Sequence, residues 1–185
     1  MIKDFLNTID RREGRDAFSS IGRTQEWLVD RLLVAAGTTV TGRDYLGLLT
    51  LRDELRELLR AGSDGSGGSD GDGGGPQETI AALDATLAGY PLTVSFASGV
   101  PRIVGVPGGG VADAVARLVD AVRDAVADGT WERLKVCRRA GCDLVLWDRS
   151  RNRSGRWCSM ARCGNQLKGQ RAYEARVWPT AYPGQ

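Results

Sequence analysis

Histidine is absent from this chain of 185 residues. Its absence removes the side chain that most often transfers protons near neutral pH, and it removes the nitrogen ligands of mixed zinc sites. No motif typical of a nucleophilic enzyme stands in its place. We therefore expect a protein that is not an enzyme.

Long apolar runs are absent as well. No stretch approaches the roughly 18 apolar residues that indicate a membrane-spanning helix. The opening residues, MIKDFLNTIDRREGRD, are charged from position 3 and lack the apolar core of a signal peptide. We therefore expect no membrane contact and a cytoplasmic location, where reducing conditions disfavour disulfides.

Cysteine is scarce, and its four copies fall in one short stretch. They form two pairs with four residues between the members of each, Cys137 with Cys142 and Cys158 with Cys163. Four thiolates are a complete ligand set for tetrahedral zinc and leave no position for a catalytic water. The spacing predicts one structural Zn²⁺ per chain, with two disulfides or free redox-active thiols as alternatives.

Charge is unevenly distributed along the chain. The formal net charge is +2, yet residues 131–178 contain twelve Lys or Arg against four Asp or Glu, a balance of +8. The compensating acidic excess lies in residues 1–130. Such asymmetry is typical of a polyanion-binding module joined to a body with another role.

Arginine outnumbers lysine ten to two in this basic module. The planar guanidinium suits phosphates and guanine edges, and side-chain amides suit adenine edges. We expect a helix over 160–176 to lie against a DNA groove while an arginine-rich turn contacts backbone phosphates. The candidate DNA-binding residues are Arg149, Arg151, Arg153, Arg156, Arg162, Gln166, Lys168 and Arg171.

A protein-interaction adaptor is the alternative to a DNA-binding regulator. In that case zinc stabilises the module, and its basic face docks an acidic protein partner without direct contact to nucleic acid. DNA binding through a single finger is usually weak, so a homodimer is compatible with the regulator hypothesis.

Hydrophobic periodicity predicts a mainly helical domain over residues 1–130. Thr24 is expected to cap a helix to Ala36, and Thr41 with Asp44 to form a capping box for the next. This next helix is expected to bury a leucine stripe, which comprises Leu48, Leu51, Leu55, Leu58 and Leu59. Further helices are expected over 76–89 and 111–128, the second with Val126 on its buried face, and a hairpin is expected within 91–107. The segment 62–75 contains no apolar side chain, so its composition predicts a flexible loop.

The basic module over 131–178 is predicted to be a treble-clef-like zinc finger. Its expected order is a zinc knuckle, a β-hairpin and a helix that begins near Ser159. The hairpin is expected to pair LVLWD (144–148) with RWC (156–158), with Trp147 facing Trp157. The predicted fold class is α+β, mainly α with a small β-hairpin.

Two stretches of the module carry a family resemblance. CSMARCGNQ (158–166) resembles the signature of the CGNR-type zinc fingers, and LWDRSRN (146–152) resembles that family's aromatic-Asp-x-Ser-Arg-Asn stretch. Gln166 stands where the signature has arginine. The resemblance implies that the four cysteines bind zinc, and it favours DNA binding.

The N-terminus carries a second resemblance. DFLNTID (4–10) resembles the Asp-Phe-x-Asn-Thr opening of ABATE-type domains, which precede such fingers in bacterial proteins described as stress-induced transcription regulators. The resemblance implies a transcription regulator. We expect an N-terminal domain that senses an unidentified small-molecule or protein effector.

Overall fold

The computed structural model of the protein describes residues 1–63 and 76–165. The α-helices in these two ranges are α1 (Ile2–Leu6), α2 (Ile21–Asp30), α3 (Gly42–Ser63), α4 (Pro76–Leu87) and α5 (Val111–Ala127). The strands are β1 (Ile9–Asp10), β2 (Arg15–Asp16), β3 (Leu92–Ser95), β4 (Arg102–Gly105), β5 (Leu134–Val136) and β6 (Val145–Trp147). Consecutive strands form three antiparallel pairs. The predicted fold class, mainly helical with small hairpins, is confirmed.

Two parts of the sequence-based prediction lie outside the described residues. They are positions 64–75 of the predicted flexible loop and the predicted helix beyond position 165. In the part of the chain that the structure does describe, no helix is both long enough and apolar enough to cross a membrane.

The start of α3 follows its predicted capping chemistry. The Asp44 N–H donates to Thr41 Oγ1 at 3.2 Å, and the Thr41 N–H donates to Asp44 Oδ2 at 3.0 Å. This reciprocal pair satisfies two backbone donors at the helix end, as a capping box does. The prediction of a helix that begins here is confirmed.

The start and end of α2 differ from the prediction. Ser20 has an extended backbone, and its hydroxyl accepts from the N–H of Arg23, so the helix begins at Ile21. The Thr24 hydroxyl instead donates to the carbonyl of Ser20 within the helix. The helix ends at Asp30 rather than Ala36, because Leu32 adopts a left-handed conformation with φ +55°.

The main core joins α1, α2, α3 and α5. The rings of Phe5, Phe18 and Trp27 lie with centroids 5.3 to 6.2 Å apart. The predicted leucine stripe of α3 is buried against them at Leu48, Leu51, Leu55 and Leu59. Val126, predicted to be buried, is 58% exposed because the last turn of α5 extends past this core.

The strand pair β5–β6 is not the hairpin that the sequence predicts. β6 pairs with β5, which precedes Cys137, and Leu134 lies opposite Trp147. The predicted partner, RWC at 156–158, forms no strand, so the hairpin that would set Trp147 opposite Trp157 is absent from the described residues. The physical reason is burial, because β5 offers two apolar side chains to the helical core and RWC offers a charged arginine.

Successive side chains of β6 enter two different cores. Val145 packs in the main core with Phe5 and the α3 leucines, whereas Leu146 packs in a smaller cluster with the cysteines. Neighbouring residues of a strand point to opposite faces, so one short strand serves both clusters. The helical core and the cysteine-bearing segment are therefore packed together.

We expect Val145→Ala to destabilise the helices as well as the strand. Its side chain is 1% exposed, and removal of two buried methyl groups with the resulting cavity costs about 2 to 3 kcal/mol. Urea unfolding of the zinc-loaded protein, followed by far-UV circular dichroism, measures the loss. Val126→Ala, at an exposed position, is the matched control and should change stability by less than about 0.5 kcal/mol. Equal stability of the two variants would contradict the shared core.

Candidate metal centre

The first cysteine pair lies in the loop that joins β5 to β6. Cys137 directly follows β5, and its N–H donates to the Leu144 carbonyl at 2.8 Å. The chain reverses at Gly141, whose φ of +74° is accessible to glycine without strain. The Cys142 N–H then donates to the Arg139 carbonyl at 3.0 Å. Backbone hydrogen bonds thus fix the shape of this loop, the zinc knuckle, without a contribution from the metal.

The second pair approaches from the segment that follows β6. Cys163 lies in a π-helical turn (Met160–Gly164) that Ser159 caps, since its hydroxyl accepts from the Arg162 N–H at 3.3 Å. Arg139 Nη1 donates to the Arg162 carbonyl at 3.1 Å and ties this turn to the knuckle. Of the predicted helix over 160–176, only this first turn falls within the described residues.

The four thiols converge on one point. Their sulfur atoms all lie within 4.8 Å of one another, and Cys142, Cys158 and Cys163 are separated by 3.5 to 3.7 Å. A tetrahedron with Zn–S bonds of about 2.3 Å places its sulfurs about 3.8 Å apart. Disulfide sulfurs lie about 2.05 Å apart, and all four cysteines are free. The cluster fits one structural Zn²⁺, as predicted, and does not fit two disulfides.

Burial opposes ionisation of three of these thiols, those of Cys142, Cys158 and Cys163. It raises the pKa of Cys142 to about 11, and it raises the pKa of Cys158 far above the usual thiol range. Burial also opposes ionisation of Cys163, but hydrogen bonds from Cys158 and Cys142 outweigh it and lower the pKa of that thiol. Four thiolates together require a compensating cation, which is the charge that a bound Zn²⁺ supplies.

Asp148 organises the loop that leads from β6 to the second cysteine pair. Its side chain is 2% exposed and accepts bonds from the Ser150 N–H at 2.9 Å, the Ser150 hydroxyl at 2.7 Å and the Gly155 N–H at 2.8 Å. Lys135 Nζ lies 2.9 Å from the same carboxylate. Burial works against ionisation, but the bonds from Ser150 and Lys135 outweigh it and hold the pKa of Asp148 well below its usual range. The charged carboxylate closes residues 148–155 into a ring, which we call the Asp148 ring.

Arg133 and Gly155 also support the closed form of the Asp148 ring. Arg133 Nη1 donates to the carbonyls of Asp148 at 3.1 Å and Ser150 at 3.3 Å. A Cβ on Gly155 would lie 2.6 Å from Asp148 Oδ1, so the loop closes only with glycine there. Sequence reasoning missed the role of Asp148. The available signal was the Asp-x-Ser spacing, at which an aspartate commonly bonds the backbone two residues ahead.

The predicted DNA-binding residues fall into three groups. Arg149, Arg151, Arg153 and Arg156 lie exposed on or beside the Asp148 ring, and Arg162 lies exposed in the π-helical turn. Among the described residues, Arg153 pairs with Glu132, and Arg162 Nη1 lies 3.3 Å from Glu13 Oε1. Arg149, Arg151 and Arg156 make no ion pair within the described ranges. Gln166, Lys168 and Arg171 lie outside those ranges.

Asn7 joins the N-terminal segment to β6. Its side-chain nitrogen donates to the Val145 carbonyl at 2.8 Å, and its side-chain oxygen accepts from the Val145 N–H at 2.7 Å. The amide thus makes both bonds that a neighbouring strand would make. Asn7 is the asparagine of the DFLNTID opening, so this motif contacts the cysteine-bearing segment directly.

Two arginines of α3 reinforce this junction. Arg56 is buried and donates to the Leu6 carbonyl at 2.7 Å and to the Asp143 carbonyl. Arg60 Nη2 lies 2.8 Å from the Asp143 carboxylate. Burial lowers the pKa of Arg56, and repulsion from Arg60 adds to that effect. The carbonyls and carboxylate that these arginines contact compensate for burying the charge.

A separate open cleft of about 740 Å³ lies beside the β1–β2 pair and α2. Its lining includes Arg15, Arg23, Glu26 and Trp27. Because both acidic and basic side chains line this cleft, its charge does not indicate one class of ligand. The expected effector of the N-terminal domain therefore stays a prediction.

We expect Cys158→Ser to abolish stable zinc binding. The variant keeps only three thiolates, and structural zinc in finger peptides contributes roughly 10 to 16 kcal/mol of apparent binding energy through a complete ligand set. Zinc content after gel filtration should fall from one per chain to well below one. Ser154→Ala, an exposed change in the adjacent loop, should retain full zinc. Stoichiometric zinc in the serine variant would refute the four-thiol site.

We expect Asp148→Asn to destabilise the protein by about 3 kcal/mol at neutral pH, because Lys135 loses a buried carboxylate partner. The folded-state pKa of Asp148 is lowered. Its contribution is therefore complete above the unfolded value of about 3.9 and is lost as pH falls from there through the folded value. Urea unfolding at several pH values measures this, with exposed Asp84→Asn as the control. A difference from wild type that grew in acid would contradict the assignment.

The chain matches two family models in succession. Residues 2–129 match the ABATE model, described as "Putative stress-induced transcription regulator", and residues 133–176 match the CGNR zinc finger model. Neither description is that of an enzyme, and a comparison with curated proteins finds no match. The first model covers more than half of the chain, and the four-thiol cluster falls inside the second. The protein belongs to the ABATE family of putative stress-induced transcription regulators and carries a C-terminal CGNR zinc finger.

Proposed function

We propose that this regulator binds DNA in the cytoplasm through the arginines of its zinc finger. The observation that carries the proposal is the Asp148 ring. On it or beside it, Arg149, Arg151 and Arg156 are exposed and make no ion pair within the described residues. Exposed guanidiniums on a fixed loop suit the phosphate backbone of DNA.

Neutralisation of the metal centre accounts for only part of the basic charge. A zinc ion bound by four thiolates has a formal charge of −2, whereas residues 131–178 have a balance of +8. Two of the exposed arginines, Arg153 and Arg162, already pair with carboxylates. The remaining excess supports an external polyanion as the partner of this face.

The Asp148 ring favours binding through preorganisation. The carboxylate fixes the backbone of residues 148–155 in the free protein, so less conformational entropy is lost when the arginines engage phosphate. Phosphate contacts release counterions and make affinity fall with salt. Base reading is assigned in this proposal to Gln166, Lys168 and Arg171, which follow the π-helical turn in sequence.

An adaptor function is the second candidate. Arg153 pairs with Glu132, and Arg162 pairs with Glu13 of the N-terminal segment. The same guanidiniums would accept the carboxylates of an acidic protein surface. A homodimer is compatible with both functions and stays a prediction.

We expect Arg149→Gln, Arg151→Gln and Arg156→Gln, combined in one variant, to flatten the salt dependence of DNA binding. Each lost phosphate contact reduces the magnitude of the negative slope of log K against log salt by about 0.9. In the triple variant this magnitude should therefore fall by about 2 to 3. Fluorescence anisotropy of the zinc-loaded protein with a mixed-sequence duplex measures the slope.

The matched control changes Arg23, Arg31 and Arg43, three exposed arginines of the N-terminal domain, to glutamine. It removes the same charge and should leave the slope nearly unchanged. Equal flattening in both variants would show that only net charge matters. No binding of the wild type at about 50 mM salt would reject DNA binding and favour the adaptor.

A further inference from the structure

A groove of about 400 Å³ is lined by residues of both α1 and the zinc finger and adjoins the Asp148 ring at Arg149. This volume falls within the roughly 300 to 1,000 Å³ of ligand pockets. Its walls come from α1, from β6 with the residues after it, and from the π-helical turn with the residues before it. The lining residues that matter here are Lys3, Trp147, Arg149, Trp157, Ser159 and Arg162.

The charge of this groove has one sign. Lys3, Arg149 and Arg162 line it from three separate chain segments, and no carboxylate is among its described lining residues. All three cationic side chains are exposed. Lys3 and Arg149 make no ion pair within the described ranges, whereas Arg162 keeps its contact with Glu13. Three cations with a single internal carboxylate contact among them are stabilised by a bound anion, and phosphate is an anion that guanidinium groups bind strongly.

Aromatic and hydroxyl groups accompany the cations. Trp157 lines the groove and also packs against the cysteine cluster, so its ring is held in place. Trp147 lines the groove with 39% of its surface exposed. The Ser159 oxygen accepts from the Arg162 N–H, which leaves the Ser159 O–H able to donate to a ligand. Indole rings beside cations suit the sugar-phosphate backbone, in which an apolar sugar lies next to each phosphate.

We propose that this groove is a composite phosphate site, in which Lys3 of the N-terminal domain joins Arg149 and Arg162 to bind one backbone phosphate of DNA. The proposal rests on the proposed function and extends it, because the N-terminal domain then contributes directly to DNA affinity. The paired bonds between Asn7 and Val145 hold α1 beside β6 and so set the position of Lys3. The complete interface requires both parts of the chain.

The test compares Lys3→Gln with Arg43→Gln in the full-length, zinc-loaded protein. Each variant removes one exposed cation of the N-terminal domain. Arg43 lies near the start of α3, far from the zinc finger. It is about 25 Å along the helix axis from Arg60, which contacts the knuckle at Asp143. In anisotropy titrations with duplex DNA, Lys3→Gln should lower the salt slope by about 0.9, and Arg43→Gln should leave it unchanged.

Zinc retention in a chelator competition is measured alongside DNA binding, because Cys158 also lines the groove. Lys3→Gln should retain zinc as the wild type does. Weaker zinc retention with an unchanged salt slope would assign Lys3 to the metal centre and overturn the proposal. Wild-type DNA binding with equal slopes for the two variants would overturn the composite site alone, whereas no DNA binding by the wild type would overturn the proposed function with it.

Discussion

The strand pair β5–β6 lies between two cores and belongs to both. Val145 faces the helices while Leu146 faces the thiols, so the alternation of a single strand joins the metal centre to the main core. The knuckle that carries Cys137 and Cys142 is the loop of this strand pair. The positions of both cysteines are therefore set by burial that the N-terminal domain provides.

Buried charged side chains fix the loops on either side of this strand pair. On one side, Arg56 and Arg60 of α3 hold the knuckle through Asp143. On the other, Asp148 is buried with Lys135 and closes the loop that carries the exposed arginines. In each case a buried charged group is compensated by hydrogen bonds and an opposite charge. Both loops are therefore held in fixed positions, and one of them carries the exposed arginines.

The metal centre and the proposed DNA-binding surface are structurally linked in this arrangement. The zinc-binding turn carries Arg162, the Asp148 ring carries Arg149, and α1 carries Lys3. Asn7 fixes α1 to β6 by two short hydrogen bonds. A change in the N-terminal domain that moved α1 would also move one cation of the proposed interface, which gives a regulator a direct route from its body to its finger.

Local chemistry was enough to predict the zinc ligands, the α3 capping box and the leucine stripe, because spacing and periodicity act over a few residues. The chain by itself thus determined the metal and the helical class. Only the tertiary structure decided that β6 pairs with β5, that Asn7 bonds Val145 and that Asp148 is buried. Each of these depends on which apolar surface is available to cover a strand or a carboxylate. That surface comes from residues as many as 138 positions away, which no local pattern records.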